Sequence, residues 1–197
     1  MRVEVSGEPP RAPFCLVSNH LSYVDIVLLG SRLGCVFVAK GEVSDWPVIG
    51  FLARAAGTIF VNRRSKRDAL RVLEIIERRI GLGDGVVIFA EGTSSRGDTV
   101  LPLKPALLEW AARTGLPVGY ASLSYRTPAG VPSADLAVCW WGDMTFGPHL
   151  LDLCRLPEFH ATLTFGREPI RDRDRKQLAA RLHRAVREQF IPVVTPE

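Results

Sequence analysis

The stretch FCLVSNHLSYVDIVLLGSRLGCVFVA, residues 14–39, changes its pattern from strand to helix and back to strand. Phe14–Ser18 is a short apolar run, typical of a buried strand. Residues 22–33 carry apolar side chains at helical spacing and stop before Gly34, so they predict a helix with Ser22 as a candidate cap. Residues 35–39 are rich in β-forming side chains and predict a second strand.

The same alternation continues along the rest of the chain. Further strands are predicted at residues 2–5, 58–61, 86–90, 118–125, 136–139 and 160–166. Helices are predicted to end at Gly81 and to cover residues 104–114 and 174–190, with 146–156 either helix or loop. Alternating strands and helices predict an α/β sandwich, with a mixed, largely parallel sheet flanked by helices in a single domain over residues 1–197.

A histidine and an aspartate stand where the first long helix begins. His20 and Asp25 are separated by four residues, with His20 in the predicted turn and Asp25 in the first helical turn. An imidazole with a near-neutral pKa accepts a proton from a hydroxyl, and a carboxylate on its other nitrogen orients it. The spacing alone fits a structural hydrogen bond as well as a catalytic pair, so it makes the two residues candidates and leaves both interpretations open.

Length, composition and charge limit the classes of protein. At 197 residues, with 47% hydrophobic and 23% charged residues, the chain is typical of one folded domain and not of a disordered protein. A net charge of +4 suits phosphates, anionic lipid surfaces, acidic carrier proteins or nucleic acid. Aromatic residues do not interleave with the arginines and no recognition motif is present, so no nucleic-acid partner is expected.

Cysteine spacing and hydropathy complete these limits. The four cysteines are Cys15, Cys35, Cys139 and Cys154, and none has metal-ligand spacing with a histidine. Neither a metal site nor a metal cofactor is therefore predicted. Reduced thiols in a cytosolic compartment are expected. No apolar run reaches the roughly 18–20 residues that cross a bilayer. The apolar residues 46–55 predict either a buried short helix and loop or a surface that meets acyl chains or a membrane, and both interpretations stay open.

A turn of small and hydroxylated residues follows the apolar strand at 86–90. It reads Glu91-Gly92-Thr93-Ser94-Ser95-Arg96-Gly97. Small residues allow close approach of a ligand, and hydroxyls and amides bind oxygen atoms. The Gly-Lys-Ser/Thr ending of a phosphate-binding P-loop is absent, so an ordinary strand-to-helix turn and a polar substrate site are equally compatible with these residues.

Four blocks now occur in order: NHLSYVD at 19–25, GTIFVNR at 57–63, FAEGTSS at 89–95 and LPV at 116–118. Together they resemble the glycerolipid acyltransferase family, which includes 1-acyl-glycerol-3-phosphate and lysolipid O-acyltransferases. The resemblance implies that His20 is the general base and Asp25 its orienting partner. It further implies an acceptor site formed by Asn19, Arg63, Glu91, Gly92, Thr93, Ser94, Ser95 and Arg96. A region for the acyl chain or the acyl donor would be formed by Leu116, Pro117 and Val118.

The resemblance also implies the substrates and the place of action. The donor would be an acyl-carrier-protein or coenzyme A thioester and the acceptor a lysolipid, with direct transfer, no acyl-enzyme and no other cofactor. The enzyme would act as a peripheral protein at the cytoplasmic face of the bacterial inner membrane. Family members commonly carry an apolar anchor ahead of the first block, and here about eighteen residues precede His20, so a short peripheral protein and a truncated one are both open.

The third block departs from the family pattern at two positions. Ala90 stands where the family usually has proline, and Ser94 where it has the arginine assigned to the acceptor phosphate. Serine lacks the charge and the forked donors of arginine. Phosphatidic acid synthesis is still expected first, because it is the commoner activity in the family. Acylation of lyso-ornithine lipid comes close behind, because the EGTSS turn and residues 140–151 resemble the bacterial subgroup that acts on lyso-ornithine lipids. A non-catalytic lipid-binding or carrier-binding module is a further alternative.

Overall fold

The computed structural model describes residues 1–41, 44, 49–55, 57–61 and 66–194. Its strands are β1 (Arg2–Ser6), β2 (Phe14–Ser18), β3 (Cys35–Lys40), β4 (Ile59–Val61), β5 (Gly85–Ile88), β6 (Val118–Arg126) and β7 (His160–Phe165). Its helices are α1 (Val24–Arg32), α2 (Ile49–Ala55), α3 (Lys66–Gly81), α4 (Glu109–Thr114), α5 (Ala134–Ala137), α6 (Phe146–Arg155) and α7 (Arg175–Gln189), with a 3₁₀ turn at Pro105–Leu108 before α4.

The strands form one sheet in the order β1-β7-β6-β2-β5-β3-β4. Each neighbouring pair is parallel except β6 and β7, which are antiparallel. Strand β2 lies between β5 and β6, with Val17 opposite both Ile88 and Tyr120. The predicted mixed, largely parallel α/β sheet is confirmed, and the segments that follow β2 and β5 leave the sheet at the same edge.

Both faces of the sheet are covered by apolar side chains. On one face, Cys15, Val17 and Ile88 belong to a buried cluster that also receives residues of α3, α4 and α7. On the other face, Leu16 and Val87 pack in a cluster with residues of α1 and α5. Successive side chains of a central parallel strand are buried on opposite faces of the sheet. This explains why β2 and β5 are unbroken apolar runs.

One predicted strand is wrong. Residues 136–139 do not form a strand, because Ala134–Ala137 is a short helix in which the Leu136 and Ala137 N–H groups donate to the Ser133 carbonyl at 3.0 and 2.9 Å. A four-residue apolar run fits a buried helix as well as a strand, so its pattern does not distinguish them. Leu136 is exposed whereas Ala137 and Val138 are buried, which is the one-sided burial of a surface helix.

The apolar segment 46–55 is only partly described. Its helix, α2, begins at Ile49, and Phe51 projects from it with 66% of its surface exposed. Trp46, Pro47 and Val48 lie outside the described residues. No helix in the described parts of the chain is both long and apolar enough to cross a membrane.

Candidate active site

His20 and Asp25 are in direct contact at the carboxyl end of β2. The Nδ1 atom of His20 lies 2.7 Å from Oδ2 of Asp25. The aspartate side chain is fully buried in the first turn of α1, and the histidine side chain keeps 19% of its surface exposed. Because a carboxylate is an acceptor, Nδ1 carries the proton and Nε2 presents its lone pair.

Three further donors hold the Asp25 carboxylate. Oδ2 accepts the backbone N–H groups of Leu21 at 2.7 Å and Ser22 at 3.1 Å. Oδ1 accepts the hydroxyl of Tyr125, which lies on β6, at 2.6 Å. Burial, followed by the charge of Asp25, holds the pKa of Tyr125 well above its usual value, so the phenol stays a donor. The resemblance did not reveal Tyr125, since it stands 100 residues from Asp25.

The His20 ring is fixed on its flat side by an aromatic contact. It stacks on Phe89, with ring centroids 4.0 Å apart and an angle of 17° between the planes. Phe89 itself stacks on Phe37, at 6.1 Å and 8°. Phe89 follows β5, and His20 follows its neighbour β2. Because these two strands are parallel, the rings of His20 and Phe89 lie at the same edge of the sheet.

Backbone bonds join three loops at the histidine. The Ser95 N–H donates to the carbonyl of His20 at 3.0 Å, and the Trp140 N–H donates to the carbonyl of Leu21 at 2.8 Å. These two consecutive carbonyls therefore tie the NHLSYVD loop to the EGTSS turn on one side and to the segment after α5 on the other.

The EGTSS turn places its side chains at different depths. Glu91 is 2% exposed, and its Oε1 accepts the Leu101 N–H at 3.2 Å. Burial raises the pKa of Glu91 to about 8. Gly92, with φ of 74°, and Ser95 are also buried, so Thr93 and Ser94 are the exposed and half-exposed members of EGTSS. The predicted acceptor residues Glu91 to Ser95 are thus together in one turn, but their side chains do not share one surface.

Arg96 extends from the turn to the segment after β6. Its Nε donates to Oδ2 of buried Asp135 at 3.0 Å, while 52% of the arginine side chain stays exposed. Its Cζ lies 6.0 Å from the ring centroid of Trp141, and the Trp141 indole N–H donates to the carbonyl of Asp135 at 2.8 Å. We call these three residues the Arg96–Asp135–Trp141 cluster.

Other predicted residues are placed apart from these groups. Asn19 is buried, donates through Nδ2 to the Leu123 carbonyl at 2.9 Å and accepts the Leu123 N–H at 2.7 Å, so its polar atoms complete the link between β2 and β6. Val118, which begins β6, is opposite Cys15, so Leu116, Pro117 and Val118 are at the opposite end of these strands from His20. Arg63 lies outside the described residues.

A second histidine, His149, is close to the site, but both of its ring nitrogens are hydrogen-bonded within the protein. His149, on α6, is 7% exposed; its Nε2 donates to the Cys139 carbonyl at 3.0 Å and its Nδ1 accepts the Tyr23 hydroxyl at 2.9 Å. Burial lowers its pKa, which favours the neutral ring. The His149 ring is therefore packed and hydrogen-bonded at both nitrogens.

Comparison with known proteins places these features in a family. Residues 2–121 match the family described as Acyltransferase. The lyso-ornithine lipid O-acyltransferase of Rhizobium meliloti is 35% identical over 96% of this chain and 70% of its own length. The 1-acyl-sn-glycerol-3-phosphate acyltransferase of Neisseria gonorrhoeae is 32% identical over 71% of this chain and 58% of its own.

A solved structure agrees in fold. The crystal structure of the 1-acyl-sn-glycerophosphate acyltransferase from Thermotoga maritima superposes with a TM-score of 0.63, covering 95% of this chain and 71% of that one at 24% identity. The chain belongs to the acyltransferase family, and it is an acyltransferase. The resemblance inferred from the four sequence blocks is therefore confirmed.

Proposed function

We propose that this enzyme transfers a fatty acyl group from an acyl thioester to the free hydroxyl of a lyso-ornithine lipid. The observation that carries the reaction is the 2.7 Å contact between Nδ1 of half-exposed His20 and buried Asp25. The acceptor is supported by relatives named lyso-ornithine lipid O-acyltransferases, which match 89% to 98% of this chain in four bacteria.

In this mechanism His20 acts as a general base. Its Nε2 accepts the proton of the acceptor hydroxyl while the hydroxyl oxygen attacks the thioester carbonyl carbon. The C–S bond then breaks, the acyl group stays on the acceptor oxygen, and the leaving thiolate takes the proton from the imidazolium. Asp25 keeps the ring in the required tautomer and stabilises its positive charge during the step.

Direct transfer without an acyl-enzyme is supported by the available nucleophiles. The sequence contains no Gly-x-Ser-x-Gly nucleophile elbow. Burial raises the pKa of Cys15 to about 12 and also raises that of Cys139, so these thiols stay protonated near neutral pH. Placing both reactants beside His20 then supplies much of the acceleration, worth up to roughly 7–11 kcal/mol in well-oriented cases.

The remaining assignments extend this proposal to the substrates. The exposed side of the EGTSS turn, with Thr93 and Ser94, receives the polar head of the acceptor. The donor is an acyl-carrier-protein or coenzyme A thioester, and the enzyme works peripherally at the cytoplasmic face of the membrane. We place donor contacts at Leu116, Pro117 and Val118 only as the family resemblance implies, because that block is at the far end of the strands.

A second candidate acceptor is 1-acyl-glycerol-3-phosphate. It is favoured by the 32% identity to the Neisseria gonorrhoeae enzyme of that name. Against it stands Ser94, which occupies the position of the arginine that the family assigns to the phosphate.

An acceptor panel tests the proposal. Purified enzyme is supplied with acyl-carrier-protein or coenzyme A thioesters and with lyso-ornithine lipid, 1-acyl-glycerol-3-phosphate or glycerol-3-phosphate, and acylated product is measured by mass spectrometry. We expect the highest kcat/KM with lyso-ornithine lipid, and a shift toward the phosphate acceptor in Ser94→Arg. A preference of the unmodified enzyme for 1-acyl-glycerol-3-phosphate would select the second candidate, and binding without turnover across the panel would refute both.

A further inference from the structure

The Arg96–Asp135–Trp141 cluster lies beside the catalytic pair. Arg96 directly follows Ser95, whose N–H donates to the His20 carbonyl at 3.0 Å. Trp141 directly follows Trp140, whose N–H donates to the neighbouring Leu21 carbonyl at 2.8 Å. The cluster therefore joins the two loops that flank the histidine, at the edge of the sheet where the acceptor must bind.

The guanidinium of Arg96 is anchored on one side. Its Nε bonds to Asp135, whose side chain is 3% exposed, so the anchor is buried while the arginine is 52% exposed. The half-buried Trp141 ring lies under its Cζ at 6.0 Å. A guanidinium has five N–H groups, and a bond through Nε leaves the edge formed by its two Nη atoms for a second, planar anion.

The charge of this neighbourhood selects the kind of anion. Between Phe89 and Leu101, Arg96 is the one basic residue of the sequence, and Asp135 offsets its charge. A phosphomonoester carries about −1.5 to −2 charges near pH 7, which is more than Arg96, already paired with Asp135, would offset from this turn. A carboxylate carries one charge, and its two oxygens match the Nη edge in a bidentate arrangement.

We propose that Arg96 determines acceptor specificity by binding the free carboxylate of the acceptor head group through its Nη edge. The inference rests on the proposed function, because an N-acylated ornithine carries one carboxylate and one side-chain ammonium. Asp135 and Trp141 act as positioning residues that hold the guanidinium at the entrance to the catalytic pair. Ser94, beside Arg96 in the turn, carries no charge, so this turn itself offers a single cation to the head group.

The experiment measures whether Arg96 and the carboxylate are coupled. The acceptors are lyso-ornithine lipid and its primary carboxamide, which has the same shape without the negative charge. For each enzyme variant we take the ratio of kcat/KM for the acid to that for the amide. A partly folded preparation lowers both values equally, so the ratio reports recognition even where a variant is less stable.

We expect a ratio of about 10 to 100 for the unmodified enzyme, which is about 1.4–2.7 kcal/mol and is typical of a charge-assisted hydrogen bond. The ratio should fall to about 1–3 in Arg96→Ala and in Arg96→Gln, with an intermediate value in Arg96→Lys because lysine keeps the charge but loses the fork. Arg181→Ala is the matched control. Arg181, on α7, is also about half exposed, at 51%, and also pairs with an aspartate, Asp172, at 3.2 Å. Its ratio should equal that of the unmodified enzyme.

Two results would overturn the assignment, and they differ in meaning. If the unmodified enzyme acylates lyso-ornithine lipid but Arg96→Ala keeps the original ratio, Arg96 does not bind the carboxylate, and the proposed function stands without it. If the unmodified enzyme does not acylate lyso-ornithine lipid at all, both the acceptor and this assignment fail.

Discussion

Two histidines near the edge of the sheet differ in what their ring nitrogens contact. In His20, Nδ1 faces the Asp25 carboxylate, and no hydrogen bond to Nε2 is found in the described parts of the chain. In His149, Nδ1 and Nε2 are both bonded, to the Tyr23 hydroxyl and the Cys139 carbonyl. His20 therefore has a free ring nitrogen available to a substrate and a carboxylate in direct contact with the other, whereas both nitrogens of His149 are bonded to neutral groups.

Under the proposed mechanism, a nearby histidine is not sufficient for base catalysis. A carbonyl oxygen stabilises an imidazolium less than a carboxylate does, and burial further opposes the charge on His149, whose pKa is lowered. What distinguishes the two rings is a carboxylate partner together with an accessible second nitrogen.

The same substitution at both histidines tests this distinction most strongly. His20→Gln should lower kcat by about 100- to 10,000-fold, because it removes the proton acceptor. His149→Gln is the matched control and should change kcat by less than about threefold while lowering stability by about 1–2 kcal/mol through its lost bonds. Initial rates with a saturating acyl thioester and acceptor, together with urea unfolding, give both quantities. A deeper loss of kcat in His149→Gln than in His20→Gln would reverse the assignment.

A smaller effect is expected from the phenols that contact the two systems. Tyr125→Phe removes the donor to Oδ1 of Asp25, so we expect about a tenfold loss of kcat and about 1–3 kcal/mol of lost stability from a buried acceptor left unpaired. Tyr23→Phe removes the donor to His149 and should reduce stability by about 1 kcal/mol without a comparable loss of kcat. Comparing kcat at equal fractions of folded protein separates positioning from a general loss of folding, since only Tyr125→Phe should then keep its tenfold loss. Equal values of kcat for the two variants would count against a positioning role for Tyr125.

A different kind of effect, on stability and its pH dependence and not on kcat, is expected from Glu91, next to the histidine loop. Its pKa in the folded protein is about 8, above the ordinary value of 4.5, so the folded state retains a proton that the unfolded state has lost between these pH values. This contribution makes the protein less stable as pH rises from about 4.5 to about 8, by up to about 1.4 kcal/mol per pH unit. Glu91→Gln should flatten that dependence, as measured by urea unfolding at pH 5, 6.5 and 8. An unchanged slope would show that Glu91 is ionised in the folded protein.

Much of the fold was predictable because its signals are local. The apolar runs of β2 and β5 and the periodic pattern of α7 each depend on neighbouring residues, and all three elements are present. The exception, the strand predicted at 136–139, is a run too short for its periodicity to decide. The cap predicted at Ser22 is also less simple, because Val24 N–H donates to its Oγ at 3.3 Å while α1 itself begins one residue later than a Ser22 cap requires.

The candidate site was predictable only where its residues are close in sequence. His20 and Asp25 are five positions apart, and a strand followed by a helix is enough to bring them together. The Tyr125 bond to Asp25 spans 100 positions and the Arg96 bond to Asp135 spans 39, so both depend on the order of strands in the sheet, which no local pattern specifies. Asn19 illustrates the converse, because a residue in the first block uses both polar atoms to join β2 to β6.

The loops around His20 are tied together through main-chain atoms, at the carbonyls of His20 and Leu21. These two ties use no side-chain atoms, although the bond between the Arg96 and Asp135 side chains joins the same two loops. Exchanging Thr93 or Ser94 is therefore expected to leave the imidazole in place. If the proposed acceptor site is correct, the preference for a lipid head group can then be engineered at these two outward-facing residues without disturbing the base.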